Sequence, residues 1–321
     1  MIDPTCRDAP PSPLSITAII LTRDEEIHLE RCVCSIAGLV ARVVVVDSFS
    51  SDATTAIAER LGADVLQHRW RNYADQFQWG VDAAAPSTDW ILRLDADEYF
   101  EPALCAELRA ALPALDPAVT GFYLRRKVIF RDTWIRHGGY YPTFLLRLWR
   151  NGCGRIEQRW MDEHIVLTRG EARRSSGDFV DHNLAGVTAW TDKHNRYATR
   201  QMVDFLNLEY GFFPVDAAIE REAGSQARMK RFLRNRVFAR APLYLRGLLY
   251  FFQRYFLRLG FLDGRDGFVF HFLQGLWNWI LIDAKIDEAR AFIAAHGVDA
   301  FKMRLATHYG IELAPREPLD D

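Results

Sequence analysis

The sequence has few cysteines, and they lack the spacing that most cysteine sites need. There are five among 321 residues, an odd number, and no two of them form a CxxC pair. Disulfide frameworks of secreted domains and zinc sites rely on paired or regularly spaced cysteines. We therefore expect reduced thiols in a cytosolic protein.

Long apolar runs are absent as well. No uninterrupted run approaches the roughly 20 apolar residues that a membrane-spanning helix needs. Residues 1–13 are polar and rich in proline, without the apolar centre of a signal peptide, so we expect a flexible N-terminal tail there. The sequence shows no internal repeat and no low-complexity tract.

Acidic residues are missing from one long segment. The net charge is only −2, yet residues 223–262 contain nine Lys or Arg and no Asp or Glu. Leu, Phe and Tyr lie between these cations, a pattern typical of helices that lie in the membrane interface and are attracted to anionic lipid. So much Leu and Phe has no role on a phosphate backbone, which argues against nucleic acid. We expect membrane docking here, with a helical homodimer interface as the alternative. The expected docking residues are Arg228, Lys230, Arg231, Arg234, Phe251 and Phe252.

Short apolar runs rich in β-branched residues alternate with helical patterns in the first hundred residues. We predict strands at residues 16–21, 43–46, 63–67 and 90–94, with helices between them. This order implies a parallel sheet with right-handed crossovers, and therefore the α/β fold class. The first loop carries neither a GxGxxG motif nor a Walker lysine, which argues against NAD(P) and P-loop ATP chemistry.

The fourth predicted strand ends in an acidic segment, Asp95-Ala96-Asp97-Glu98. Side chains alternate along an extended chain, so Asp95 and Asp97 can point to one side, at the edge where open α/β sheets bind ligands. Two such carboxylates repel each other unless a cation lies between them. Hard oxygen ligands favour Mg²⁺ or Mn²⁺, ions that usually also hold substrate phosphates. A solvated acidic turn is the alternative.

Three segments, residues 19–26, 45–54 and 94–98, resemble family 2 glycosyltransferases, which are nucleotide-sugar enzymes with the Rossmann-like GT-A fold. They occur in the family's order within residues 15–185. The resemblance implies that Asp47 contacts the nucleotide base, that Asp95 contacts the ribose or the metal, and that Asp97 holds the metal and through it the diphosphate. It also assigns the first loop to the donor site, with Thr22, Arg23 and Glu25.

Two positions depart from the family pattern. Asp24 stands where the first loop usually has Asn. Phe77 and Gln78 stand where the helix before the fourth strand usually carries Lys or Arg and then Asn. The cationic contact to the donor is therefore missing from its usual place, and Arg93 is the candidate to replace it.

Residues 121–168 resemble the branch of this family that includes the lipopolysaccharide-core glucosyltransferases. By that resemblance Glu163 is the candidate base, with Asp162 as its rival and a structural ion pair as the alternative. His182 is a candidate third metal ligand, although a lone His is more often structural. Trp134 and Tyr140 offer flat faces to an acceptor sugar, or else form a buried aromatic cluster.

A helix is predicted from about residue 190 to about residue 210. Its first turns carry Lys193 and His194, which we expect either to close over the donor diphosphate or to form part of a solvated face.

We expect four regions: the tail at 1–13, a GT-A domain at 14–215, a basic and aromatic helical membrane-associating region at 216–290, and a C-terminal helix and tail at 291–321. The expected activity is metal-dependent, inverting transfer of a hexose from a nucleotide sugar, a UDP-sugar, to a lipid-linked glycan of lipopolysaccharide or exopolysaccharide. The enzyme would lie peripherally on the cytoplasmic face of the cell membrane.

Three alternatives stay open. The first is a transferase that glycosylates polyprenyl phosphate directly and needs no base. The second is a sugar nucleotidyltransferase, although the Gly-rich N-terminal loop with Arg that such enzymes carry is missing. The third is a non-catalytic scaffold on a decayed GT-A fold.

Overall fold

The computed structural model describes residues 12–157, 163–213 and 242–313. The chain begins with four strands that alternate with three helices: β1 (Leu14–Thr22), α1 (Leu29–Ile36), β2 (Val40–Asp47), α2 (Thr54–Arg60), β3 (Asp64–Gln67), α3 (Tyr73–Ala84) and β4 (Trp90–Asp95). The four strands are parallel and lie in the order β3-β2-β1-β4. The predicted α/β class and parallel pairing are therefore confirmed.

The second half of the sheet is mixed. Its elements are β5 (Glu98–Phe100), α4 (Pro102–Ala111), β6 (Val119–Phe130), β7 (Thr133–Trp134), β8 (Thr143–Arg150), β9 (Gly154–Ile156), β10 (Ile165–Leu167) and β11 (Glu171–His182). The sheet continues from β4 through β8, β6 and β11 to β5, and β7 pairs with β6. Strand β8 is antiparallel to both β4 and β6, so it reverses the strand direction in the middle of the sheet. Strands β9 and β10 form a separate ribbon.

Helices pack on both faces of the sheet. Ile16, Ala18 and Ile20 of β1 lie in one apolar cluster with α1 and α4, whereas Ile19 lies in another with Phe77 of α3. Successive side chains of a strand point to opposite faces, and a parallel strand covered on both faces is apolar throughout. This explains why β1 reads as a continuous apolar run.

The rest of the described chain is helical. Its elements are α5 (Gly186–Tyr210), α6 (Leu245–Phe252), a π-helix (Gln253–Leu257), a 3₁₀ helix (Gly260–Asp263), α7 (Gly264–Phe270), a second π-helix (His271–Trp277), α8 (Asn278–His296) and α9 (Val298–Tyr309). An apolar core joins α5 to α8 and α9, for example through Met202, Ile286 and Phe301. This packing crosses the boundaries expected at 215 and 290, which stay predictions. None of the helices in the three described ranges is long and apolar enough to cross a membrane.

The loop between β7 and β8 attaches the sheet to these helices. The Gly138 amide donates to the Arg258 carbonyl at 2.9 Å, and Arg254 Nη1 donates to the Gly138 carbonyl at 2.8 Å. A Cβ added at Gly138 would lie 2.0 Å from the His271 ring, so only glycine fits this close approach. Tyr140 completes the junction and packs 4.7 Å from the Phe270 ring.

A buried ion pair holds α6 against α8. Arg246 Nε donates to Asp283 Oδ1 at 2.6 Å, and Asp283 Oδ2 accepts from the Tyr244 amide at 2.6 Å. The guanidinium also lies over the rings of Phe205 and Trp279, at 4.8 and 5.4 Å from their centroids. Both charged side chains are enclosed, so loss of either one would leave its partner as an uncompensated buried charge.

Candidate functional site

Polar side chains meet where β1, β2 and β4 end. In the sheet register Thr22 pairs with Asp47 on one side of β1, and Leu21 pairs with Asp95 on the other. The carboxyl ends of parallel strands form the edge at which open α/β sheets bind ligands. The structure therefore brings Asp47 and Asp95 to one edge of the sheet.

The Asp47 carboxylate is buried and held in one orientation. Its Oδ1 accepts from Thr22 Oγ1 at 3.0 Å and from Ser50 Oγ at 2.5 Å, and its Oδ2 accepts from the Ser50 amide at 2.9 Å. The role of Thr22 is therefore to hold Asp47, and the three hydrogen bonds together orient the Asp47 carboxylate at the sheet edge.

The loops after β1 and β2 are joined to each other. Asp24 Oδ1 accepts from the Ser51 amide at 2.7 Å, so the Asp that replaces the family's Asn acts as a hydrogen-bond acceptor. Glu25, the next residue of the β1 loop, also contacts the segment after β2, because its amide donates to Thr54 Oγ1 at 2.8 Å. Its carboxylate lies 2.6 Å from His28 Nδ1. Arg23 is exposed at the start of this loop.

Phe49 is a site feature that the sequence analysis missed. It follows Asp47 by two residues, its side chain is 59% exposed, and its φ of +58° lies in the left-handed region. Positive φ is uncommon for a bulky residue, and such strained positions cluster at functional sites. The signal available in the sequence was an aromatic residue among the serines that follow a strand-end Asp.

Asp95 belongs to a network of buried groups. Its carboxylate accepts hydrogen bonds from the Tyr73 hydroxyl and from Arg147 Nη2, the latter at 3.1 Å. Arg147 Nη2 also contacts Glu98 Oε1 at 2.6 Å, and Glu98 Oε2 accepts from the Asp95 amide at 2.9 Å. Burial raises the pKa of Asp95, but the neighbouring Arg147 and Arg93 outweigh it and hold that pKa well below its ordinary value. Asp95 is therefore anionic at neutral pH.

Asp97 is paired with groups that follow β11. Its Oδ2 accepts from Asn183 Nδ2 at 3.1 Å and from Lys193 Nζ at 3.3 Å. Burial raises the pKa of Asp97, whereas Lys193 and the Asn183 hydrogen bond lower it, and the net shift is downward. The structure thus brings the predicted Lys193 to the Asp-x-Asp segment.

His182 lies beside Asp97 but its ring has other partners. Its amide donates to the Asp97 carbonyl at 3.1 Å, while Nδ1 lies 3.2 Å from Arg31 Nη1 and Nε2 lies 3.5 Å from Asp132 Oδ1. Burial and the neighbouring Arg31 lower the pKa of His182. In the part of the chain that the structure describes, no three or more His, Cys, Asp or Glu side chains form a group that could hold a metal ion.

Glu163, the predicted base, connects to the Asp-x-Asp segment through two side chains. Arg93 Nη2 lies 3.5 Å from Glu163 Oε1, and Arg93 Nη1 donates to the Glu163 carbonyl at 3.3 Å. Arg93 Nε also donates to the Tyr73 hydroxyl at 3.0 Å, and that hydroxyl donates to Asp95. Asp95, Tyr73, Arg93 and Glu163 therefore form one continuous chain. The rival base, Asp162, lies outside the described residues.

Tyr73, Arg147 and Asn183 are site residues that the sequence analysis did not single out. One signal was available for Arg147: it is a lone cation inside the apolar strand β8, just as Arg93 is inside β4. A charge buried in an apolar strand requires partners, and these two strands are neighbours. The sequence offers no comparable signal for Tyr73.

The predicted acceptor and diphosphate residues lie in different places. Trp134 lies between two cations, with Arg136 at 4.1 Å and Lys127 at 4.7 Å from its ring centroid, while Tyr140 packs in the junction described above. His194 stacks on Trp190 at 3.4 Å. Burial lowers the pKa of His194 to about 4, so its ring is neutral at physiological pH and adds no positive charge.

Comparison with protein families supports the sequence motifs. The family model described as "Glycosyl transferase family 2" matches residues 17–171. An "Uncharacterized glycosyltransferase" of Rickettsia felis is 40% identical over 93 residues, which cover 29% of this chain and 32% of the relative. The match thus spans about a third of that relative's length.

A longer match is to a "Lipopolysaccharide core biosynthesis glycosyltransferase LpsC" of Rhizobium meliloti. It is 28% identical over 197 residues, which cover 58% of this chain and 70% of the relative. Among solved structures, a glucosyl-3-phosphoglycerate synthase of Mycobacterium tuberculosis, in complex with Mn²⁺, UDP and product, is 24% identical. The match covers 35% of this chain and 43% of the synthase chain, with a TM-score of 0.29.

Proposed function

Residues 17–171 belong to glycosyl transferase family 2, and from this premise we propose that the protein moves a hexose from a UDP-sugar to a lipid-linked glycan, with inversion at the anomeric carbon. Its mixed sheet with the helices on both faces forms a GT-A fold, and the C-terminal helices extend it. We call the sheet edge where β1, β2 and β4 end the donor edge. The observation that carries the proposal is the chain of contacts from Asp95 through Tyr73 and Arg93 to Glu163, because it connects the donor edge to a candidate base. The relative named for lipopolysaccharide core biosynthesis supports the class of acceptor.

The nucleoside would bind at the edge formed by β1 and β2. Asp47 is oriented there by Thr22 and Ser50 and can accept a hydrogen bond from a base N–H. The exposed Phe49 ring, two residues away, offers an apolar face on which the base would stack. The strained backbone at Phe49 supports this role, since the ring is held outward at an energetic cost.

The acidic residues fit a divalent cation that is shared with the substrate. Mg²⁺ is usually bound by one or two carboxylates together with substrate phosphates, rather than by an all-protein cage. Asp97 supplies such a carboxylate, and Asp95 is the second candidate. When bound, the cation would neutralise charge on the departing diphosphate. Lys193 already contacts Asp97 at 3.3 Å and would contribute a second positive charge at the same place.

Glu163 would act as the general base. Its carboxylate takes the proton of the acceptor hydroxyl while the acceptor oxygen attacks the anomeric carbon, and the bond from that carbon to the diphosphate oxygen breaks. Arg93 holds Glu163 by contacts to both its side chain and its backbone carbonyl. Arg93 thus positions the base, and it is itself hydrogen-bonded to Tyr73, which contacts Asp95 at the donor edge.

A panel of nucleotide sugars tests the proposal by thermal stabilisation with and without Mn²⁺. A ligand present at 100 times its dissociation constant stabilises by about 2.7 kcal/mol, which is readily measured. We expect one UDP-sugar to stabilise the wild type only when Mn²⁺ is present, and Asp97→Asn to abolish this response and transfer. Asp299→Asn, an exposed acid on α9, is the matched control. Donor binding that ignores Mn²⁺ would refute the metal role, and no response to any donor would refute the activity.

A further inference from the structure

Large exposed hydrophobic side chains are concentrated in one short part of the chain. In the described ranges, twelve of the eighteen such side chains lie between residues 244 and 272. We call eleven of them the apolar ridge: Leu245, Leu248, Leu249, Phe252, Phe256, Leu257, Leu259, Phe261, Leu262, Phe268 and Phe272. Some of them contact each other: the ring centroids of Phe252 and Phe256 are 5.2 Å apart, and those of Phe268 and Phe272 are 6.1 Å apart. Exposed apolar side chains that adjoin one another mark an interaction site, whereas those scattered singly do not.

The ridge points outward because the opposite side of its first helix is already in use. The exposed residues of α6 are Leu245, Leu248, Leu249 and Phe252, spaced i, i+3, i+4 and i+7, and therefore form one helix face. On the other face Arg246 pairs with Asp283, and a Cβ added at Gly247 would lie 3.1 Å from Trp279. Of the residues predicted to meet the membrane, Phe252 lies on the ridge and Phe251 is half-buried. The other four, Arg228, Lys230, Arg231 and Arg234, lie outside the described residues.

The most exposed charged residues around the ridge are cations. Between residues 242 and 280 the only carboxylates in the sequence are Asp263 and Asp266. Asp263 accepts from the His137 amide at 2.9 Å and is buried, and Asp266 pairs with Arg131 at 3.3 Å. Arg258 and Arg265 are exposed. Between residues 242 and 280, then, one carboxylate is buried and the other is half-buried and ion-paired, whereas the cations Arg258 and Arg265 are exposed beside the apolar side chains.

We propose that the apolar ridge inserts into the interfacial region of an anionic lipid bilayer and anchors the enzyme to one leaflet. Helix α6 has eight residues and α7 has seven, so both are too short to cross the bilayer. Apolar side chains would enter the boundary between headgroups and acyl chains, and Arg258 and Arg265 would contact lipid phosphates.

A second copy of the chain fits the ridge less well than lipid does. A two-fold contact places the same patch of both copies face to face. The exposed cations would then meet each other at an interface to which the ridge contributes no exposed carboxylate. Like charges brought together in this way disfavour association, whereas an anionic leaflet complements them.

The anchor would also set the orientation of the active site. Gly138 is bonded to Arg254 and Arg258, which belong to the helical segment carrying the ridge, and the Arg246–Asp283 pair fixes α6 to α8. The ridge cannot turn relative to the sheet without breaking these contacts. Insertion would therefore hold the sheet edge at a constant angle to the membrane, where a lipid-linked acceptor is found.

Sedimentation of the full-length protein with vesicles tests the anchor. We expect binding to vesicles of phosphatidylcholine with phosphatidylserine, weakened but not eliminated by high salt, because both charge and apolar insertion contribute. The variant Leu249→Ser/Phe252→Ser/Leu257→Ser should lower the partition coefficient by about 100-fold or more, since each buried apolar side chain contributes substantially. The control Leu208→Ser/Met303→Ser alters residues that are equally exposed but lie on α5 and α9, and it should bind as the wild type does.

A wild type that ignores anionic vesicles at low salt would overturn the proposal, as would a ridge variant that binds like the wild type. A dimer in solution that the ridge variant converts to a monomer, without vesicle binding by the wild type, would assign the ridge to a second copy instead. Donor stabilisation by Mn²⁺ and UDP-sugar should be unchanged in the ridge variant, so failure of the anchor and failure of the proposed activity give different results.

Depth-dependent quenching provides a second measurement that does not remove apolar side chains. Leu257→Trp places an indole on the ridge, and Met303→Trp places one on α9, at positions that are 68% and 65% exposed. With brominated lipid in the vesicles, the fluorescence added by Leu257→Trp should be quenched, whereas that added by Met303→Trp should not. Equal quenching of both would contradict insertion of the ridge.

Discussion

The donor edge and the apolar ridge are opposite exceptions to the usual pattern, in which charged side chains are exposed and large apolar ones are buried. At the donor edge, charged side chains such as Asp47 and Arg147 are buried, and each forms more than one hydrogen bond to a neighbouring side chain or backbone amide. On the ridge, large apolar side chains such as Leu257 are exposed, and nothing in the described chain covers them. Buried charges and extended apolar surfaces are the informative exceptions to the usual pattern. These exceptions are the reason why we propose ligand binding at the first region and membrane binding at the second.

An arginine forms an ion pair with an aspartate at the donor edge and another does so beside the ridge, and the two pairs differ in their access to solvent. Arg147 pairs with Asp95, whose side chain keeps 29% of its surface exposed, whereas Arg246 pairs with Asp283, which is 0% exposed. The first pair can still meet a ligand. The second is enclosed and can only hold helices together. The difference between a binding network and a structural one thus lies in accessibility and not in residue type.

The largest expected effect is on turnover, and it comes from a variant at the donor edge that should leave donor binding intact. Glu163→Gln should lower turnover by about 10² to 10⁴, the usual scale for lost general-base catalysis, because the amide cannot accept the acceptor's proton. Donor affinity, measured by Mn²⁺-dependent stabilisation, should change little. Glu171→Gln, at an exposed residue of β11, is the control.

The result also decides between the alternatives left open by the sequence. If Asp162→Asn abolishes turnover and Glu163→Gln does not, the base is one residue earlier. If both variants keep full turnover, the acceptor is already ionised, as a polyprenyl phosphate would be.

The next effect concerns the enclosed ion pair of the helical region. Arg246→Met should lower the free energy of unfolding by about 3–5 kcal/mol, because Asp283 would remain buried without a counter-charge. The double variant Arg246→Met/Asp283→Leu should recover most of the loss, since it removes both charges and keeps apolar volume. Denaturant unfolding measures both. A double variant as unstable as the single one would show that the loss comes from packing and not from the unpaired charge.

The smallest effect tests the exposed aromatic of the donor edge. Phe49→Ala should weaken donor binding by about tenfold, on the scale of a lost stack between a base and an aromatic ring. Ile27→Ala, at another exposed apolar residue of the neighbouring loop, should leave the donor dissociation constant unchanged. Titration of the UDP-sugar in the presence of Mn²⁺ measures both. Equal donor affinity in Phe49→Ala and wild type would exclude stacking on this ring.

Local patterns in the sequence determined the parallel half of the sheet and the place of its acidic edge. Strands β1 and β2 are rich in β-branched residues, β4 is an apolar run interrupted only by Arg93, and all three end at a polar residue. These features are visible within a few residues of chain. The register then brings Asp47 and Asp95 to one edge, because parallel strands end together. Tertiary structure was needed for the partners of these carboxylates.

Lys193 lies 96 residues after Asp97, and Glu163 lies 70 residues after Arg93, yet each pair is in contact. No local periodicity encodes such a pairing; it arises because β11 leads into α5 beside the Asp-x-Asp segment and because β4 carries Arg93 inward. For the same reason, the sequence alone could not show which face of α6 is exposed. Its sequence is apolar on several sides, and only the packing of Arg246 and Gly247 against α8 leaves Leu249 and Phe252 exposed.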